Sequence, residues 1–206
     1  MSDRAFPAGH LLCFPVKPAG GEVSFENGFH YARGAYEHHA IDIRGATGML
    51  IVAPRAGQVV HSWRYRGETR PGSGYGATSG HYVLYVDDLG YFHFFSHLDQ
   101  PPRVAPDATV IAGQILGFLG ATGNAHGVPH LHYQVHAPLR GRRASEYETR
   151  EFLTSGGDAV NPYTELGRLA SDLGATRNPG GRYTIPGASL PGSEVPGGSG
   201  APAPPR

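Results

Sequence analysis

Two short clusters in this 206-residue chain carry the side chains best suited to chemistry: His38-His39-Ala40-Ile41-Asp42 near the start, and His130-Leu131-His132 far downstream. Together they offer imidazoles and a carboxylate. Those donors suit a divalent cation such as zinc, which takes nitrogen, sulfur or carboxylate oxygen in a tetrahedral set. A catalytic zinc site uses three protein ligands and leaves the fourth place to water. Two His and one Asp meet that requirement.

Spacing decides which side chains can converge, because residues two or four apart on a strand face the same way. Pro129 to Val135 alternates polar and apolar residues and reads as a strand, so His130 and His132 share a face. Ala40 to Ile43 also alternates, which puts His38 and Asp42 on one face, opposite Ile41 and Ile43. In a chain with 12 His, an isolated HxH is more often an exposed strand face than a metal site. An isolated HxxxD is weaker still. Their joint occurrence, with His97 on a third strand between them, points to a metal.

The elements that must position these groups are mostly strands. Gly57 to Tyr65, His81 to Asp87, Tyr91 to His97 and Ile115 to Leu119 are β-branched or aromatic runs bounded by Gly, Pro or Asp turns. The expected fold is mostly β, a compact antiparallel sheet with one short C-terminal helix. That helix is expected over Asn161 to Leu173, with Asn161 as N-cap, Pro162 at the first helical position, and Leu166, Leu169, Ala170 and Leu173 on one stripe. The Gly-rich stretch from Gly67 to Gly80 is long for a hairpin connection, a length that suits a binding loop.

The order of short motifs resembles the lysostaphin-type, LytM-like zinc metallopeptidases that cut peptidoglycan peptides. His38 to Asp42 is similar to the family's first ligand motif. Ile51-Val52-Ala53-Pro54 with Gly57-Gln58-Val59-Val60 is similar to its V-x-A-x-x-x-G-x-V hairpin. Phe95-Ser96-His97-Leu98, Ala112 to Gly117, Gly120-Ala121-Thr122-Gly123, His130 to Tyr133 and Asn161-Pro162 follow in the family's order, so the resemblance runs from about Glu37 to Pro162. It implies one zinc held by His38, Asp42 and His132, with His97 and His130 as the catalytic imidazoles. It further implies a peptidoglycan endopeptidase acting in the extracytoplasmic cell-wall compartment, periplasmic or secreted. The long Gly-rich loop would then wall the substrate groove. Two positions depart from the pattern: Ala40 stands where the family usually has Gly, and Phe95 where it usually has Tyr, which removes a hydroxyl. Neither is a ligand.

Three other readings compete. Biotinyl or lipoyl carrier domains share the hairpin motifs but need a lysine at a hairpin tip, and the sole lysine is Lys17. Cupin or non-haem iron sites use HxH with a nearby Glu, or HxD; here the carboxylate motif is HxxxD, and no Glu lies among the residues just after His132. A metal-binding but inactive module, binding cell wall or activating an amidase, is the alternative within the same fold. Relatives of that kind lose one or more of the His or Asp positions, and none is lost here.

The wider bounds are modest. With 31 Gly and 18 Pro the chain approaches a disordered composition, and much of the excess lies after Asn178, where apolar periodicity ends. The expected organisation is an N-terminal extension over 1–34, a zinc metallopeptidase domain over 35–174 and a Pro/Gly-rich disordered tail over 175–206. A formal net charge of zero gives no footprint for nucleic acid, and no apolar run approaches a membrane span. The single Cys13 reads as a structural thiol. Leu11 to Phe14 is too short for the apolar part of a signal peptide, so the export route stays open. Among the other imidazoles, His93 shares strand parity with His97 and His136 with His132, so either could edge a groove. His39 faces away from His38, and His10, His30, His61, His81 and His126 carry no expected role.

Overall fold

The structure is a computed structural model that describes residues 6–34, 36–67, 78–138 and 158–188. Most of the Gly67 to Gly80 loop and residues 189–206 of the Pro/Gly-rich tail lie outside the described residues. In chain order the strands are β1 (Val23–Phe25), β2 (Ala32–Arg33), β3 (Tyr36–Glu37), β4 (Ile41–Arg44), β5 (Leu50–Val52), β6 (Gly57–Trp63), β7 (His81–Asp87) and β8 (Phe92–Leu98). They continue with β9 (Thr109–Val110), β10 (Ile115–Phe118), β11 (His130–His136), β12 (Ala159–Val160), helix α1 (Tyr163–Asp172), β13 (Thr176–Arg177) and β14 (Tyr183–Ile185).

The main sheet is antiparallel in the order β13-β14-β1-β4-β11-β8-β7-β6-β9, with β12 also on β11. Its central strands alternate as the sequence demands. Ile41, Ile43, Leu131, Tyr133, Val135, Phe95, Val83 and Tyr85 are inaccessible and fill one face, joined by Ile51 and Leu116 of the separate β5–β10 pair. The fold is therefore the mostly β, antiparallel arrangement with one short helix. No helix among the described residues is long and apolar enough to cross a membrane.

Two expected boundaries are corrected. Residues 175–188 are not a tail separate from the sheet: Ile185 pairs with Val23 and Tyr183 with Phe25, linking β14 to β1. The expected N-terminal extension likewise contributes β1 to the sheet and fully buried Leu11 and Val16 to its core. Both segments are short runs among Pro and Gly, too brief to show a period of their own. We expect Ile185→Ala to destabilise the protein by about 2–5 kcal/mol, as truncation of a buried Ile does. Urea unfolding would measure this, and an unchanged midpoint would contradict the placement of β14 in the core.

The helix starts later than expected, at Tyr163, with Pro162 in the cap position. Asn161 still accepts a hydrogen bond from the Tyr163 backbone N–H at 3.1 Å, so its predicted capping chemistry acts on the first turn. Leu166, Leu169 and Ala170 are buried as predicted, whereas Leu173 is exposed beyond the last turn. Cys13 donates weakly to the Ala53 carbonyl, and burial pushes its thiol above the ordinary range.

Candidate metal centre

Strand pairing sets up one row of side chains on the open face of the sheet. On β11, His132 lies directly opposite Asp42 of β4 on one side and Ser96 of β8 on the other. Asp42 and His132 point away from the core because their neighbours Ile41, Ile43, Leu131 and Tyr133 are buried in it. His38 joins them by another route than the expected strand parity. It precedes β4, and its N–H and that of His39 donate to the carbonyls of Tyr31 and Phe29 at 2.9 and 2.8 Å. His39 takes a left-handed φ of 54°, so the chain turns there and swings His38 over Asp42.

The three side chains meet closely. His38 Nε2 lies 3.0 Å from His132 Nδ1 and 3.1 Å from Asp42 Oδ1, and His132 Nδ1 lies 3.3 Å from the same oxygen. The outer atoms of this triangle are occupied: His38 Nδ1 donates to the Gly28 carbonyl at 3.2 Å, which leaves a lone pair on Nε2. Arg33 donates to Asp42 Oδ2 at 3.3 Å. Asp42 Oδ1, by contrast, is shut off from solvent and has no well-directed hydrogen bond. Burial lowers His132 in spite of that carboxylate. A buried, unsatisfied oxygen between two imidazoles is an arrangement that a cation would complete.

His97 and His130 sit beside this triangle, their rings 4.7 Å apart, and His130 Nε2 is 3.9 Å from Asp42 Oδ1. Simple parity would have put His97 on the core face with His93 and Phe95. The register between β7 and β8 slips by one residue between the pairs Val83–Phe95 and His81–Leu98, and His97 takes a φ of 64°. This β-bulge re-aims the imidazole onto the open face. Its Nδ1 donates to the Thr122 carbonyl at 2.8 Å, and Thr122 Oγ1 in turn bonds the Leu98 carbonyl at 2.6 Å and the His81 N–H at 3.0 Å. Gly123 makes that clamp possible: its φ is 72°, and an added Cβ would lie 2.3 Å from the Thr78 carbonyl oxygen. His130 is fixed in the same way, Nδ1 donating to the Val128 carbonyl at 2.8 Å. Both rings therefore present an Nε2 acceptor to the groove. Burial, then the neighbouring His132 and His130, pushes His97 down to about 3.

These groups line an open groove of about 530 Å³, with Arg33, Arg44, Phe94 and His126 on its walls. Of the two further imidazoles that parity left open, neither edges it freely. His93 is fully buried on the core face, and His136 is fully buried at the far end of β11. His39 packs on Phe29 and lies 3.6 Å from Glu37, outside the cluster.

A second His–Asp–His group escaped the sequence reading, because His10 carried no motif. His10 Nε2 and His93 Nε2 lie 2.5 and 3.0 Å from Asp87 Oδ2, while Asp87 Oδ1 accepts the N–H groups of Leu89 and Tyr91, each at 2.9 Å. Every Asp87 oxygen is already satisfied, so this group is a hydrogen-bonded anchor for the N-terminal segment. Asp42 differs in its orphaned Oδ1.

Buried neutral imidazoles make stability depend on pH. His97 and His136 are each lowered from 6.5 to about 3, chiefly by burial. In the unfolded chain they take up protons near their ordinary value, and in the folded chain they do not. Their contribution is complete above about pH 6.5 and is lost as pH falls toward 3. We expect the metal-free protein to unfold at progressively lower urea as pH drops through that window, and a flat profile would contradict these environments.

The sheet, with the groove on its open face, has the lysostaphin-like β fold. The chain belongs to peptidase family M23, whose family model matches residues 36–169. The catalytic domain of lysostaphin from Staphylococcus simulans is similar in structure, with a TM-score of 0.51 and 20% identity over 70% of this chain and 91% of that one. The longer lysostaphin structure from the same organism gives a TM-score of 0.55 and 21% identity, over 85% of this chain and 65% of that one. A Ruminococcus gnavus protein carrying the name of the glycyl-glycine endopeptidase lytM gives 0.57 and 19%, over 80% of this chain and 62% of that one. The chain thus spans less than two thirds of these last two.

Proposed function

We propose that this peptidase is a zinc-dependent endopeptidase that hydrolyses peptide bonds of peptidoglycan outside the cytoplasm. The observation that carries the proposal is the orphaned Asp42 Oδ1 set between two imidazole nitrogens, with two further imidazole acceptors beside it. The donor set fits zinc: atoms 3.0 to 3.3 Å apart compare with the roughly 3.3 Å edge of a tetrahedron whose bonds are about 2.0–2.1 Å. His38, Asp42 and His132 would hold the ion. When bound, zinc lowers the pKa of its water toward about 7 and polarises a carbonyl oxygen.

The chain's own residues then supply proton handling and orientation. His130, with Nδ1–H committed to Val128, can take a proton only at Nε2, the atom that faces the groove. As imidazolium it returns that proton to the leaving amine. His97 has its Nδ1–H committed to Thr122 and is held neutral, so its Nε2 also acts as an acceptor and orients the attacking water. A donor role for His97 toward the developing oxyanion would need the imidazolium, which burial opposes. The family membership and the glycyl-glycine endopeptidase name of one structural relative support a cell-wall peptide as substrate.

Digesting purified walls of known cross-link type and identifying the released peptides by mass spectrometry tests this reading. New peptide amines at a defined bond are expected. Binding of wall fragments by the zinc-loaded protein without new amines would instead establish an inactive binding module.

A further inference from the structure

Below His132 the open face of β11 carries two more polar side chains in series, Gln134 and His136, each two residues further along and hence on the same face. His132 Nε2 lies 3.4 Å from Gln134 Oε1, and Gln134 Nε2 lies 2.8 Å from His136 Nε2. Gln134 is 4% exposed and His136 is fully buried, so water does not compete for these bonds.

An amide has one accepting end and one donating end, and a neutral imidazole has one of each. With the amide oriented as in the structure, Oε1 toward His132 and Nε2 toward His136, one proton arrangement fits. The Gln134 amide N–H donates to His136 Nε2, which puts the His136 proton on Nδ1. Gln134 Oε1 accepts, which puts the His132 proton on Nε2 and its lone pair on Nδ1. That Nδ1 is the atom facing His38 and Asp42 at 3.0 and 3.3 Å. Rotating the amide by half a turn would reverse every step and aim an N–H, not a lone pair, at Asp42.

We propose that Gln134 is a positioning residue that selects the His132 tautomer able to ligate a cation, with His136 Nε2 as the acceptor for its amide N–H. The proposal rests on the reading of His132 as a ligand. Burial keeps His136 uncharged, with its pKa down at about 3, so its Nε2 is able to accept across the neutral range.

The test begins with the metal-free, full-length protein labelled with ¹⁵N in histidine. The expected spectrum shows His132 protonated at Nε2 and unprotonated at Nδ1; protonation at Nδ1 would overturn the proposal without any variant. In Gln134→Leu the His132 signals are expected to become those of a tautomer mixture. Zinc affinity, read by competition with a chromophoric chelator, is expected to fall about 10–100-fold, the usual effect of removing a group that orients a ligand. Gln134→Glu keeps an acceptor for His132 Nε2–H and is expected to restore both readouts, whereas His136→Leu is expected to lose part of each. Unchanged tautomer and unchanged zinc affinity in Gln134→Leu would overturn the proposal. A wild-type protein that shows the Nε2–H tautomer but binds no zinc would sink the zinc reading and leave the tautomer assignment standing.

Discussion

His130→Ala is expected to keep its metal and lose turnover by on the order of a hundred- to ten-thousandfold, the usual contribution of a general acid or base. The separation follows from geometry. His130 Nε2 is 3.9 Å from Asp42 Oδ1, outside the triangle of 3.0 to 3.3 Å formed by His38, Asp42 and His132. Its other nitrogen is held by the Val128 carbonyl, so the ring is presented to the groove as a proton acceptor. His97→Ala is expected to behave in the same direction, since its Nε2 is presented by the Thr122 carbonyl in the same way. Bound zinc by elemental analysis and turnover on a soluble peptide, measured side by side, decide the matter. Loss of metal in His130→Ala together with retention in His132→Ala would reverse the assignment.

Removing a group inside the triangle is expected to have the larger effect, with His132→Ala and Asp42→Ala losing both zinc and activity. Each takes away one of the three proposed ligands, so affinity should fall by more than the roughly 10–100-fold that loss of an outer partner costs. Asp42→Ala also leaves Arg33 without this carboxylate and removes the negative charge set between the imidazoles of His38 and His132. Asp42→Asn separates these contributions, because it keeps the shape and an oxygen donor while removing the charge. It is expected to bind zinc more weakly than wild type and more tightly than Asp42→Ala. Normal turnover in all of these variants would defeat the peptidase mechanism.

What the sequence made legible was whatever alternation governs. Asp42 and His132 sit on flat, regular strands, Ile41–Arg44 and His130–His136, so their facing could be read from their neighbours. His97 could not be placed that way. Its open-face position depends on a bulge created by tertiary pairing with β7 and on a φ of 64° that no periodicity announces. The same break explains why His93 and His97, equal in parity, end on opposite faces. His38 converges through the turn at His39 instead of by strand alternation, so its approach to Asp42 was expected for the wrong geometric reason. The His10–Asp87–His93 anchor joins the N-terminal segment to two neighbouring positions of the β7–β8 hairpin 77 or more residues away, and only the folded chain brings them together. The Tyr183–Ile185 strand was hidden because a three-residue edge segment takes its order from β1 and carries no pattern of its own.

The most direct test of the central claim is the zinc content and peptide hydrolysis of one preparation before and after exhaustive chelation, followed by readdition of zinc. The account predicts one zinc per chain, loss of hydrolysis as the metal is removed, and recovery when zinc is restored. Full hydrolysis by protein shown to be metal-free by elemental analysis would contradict it.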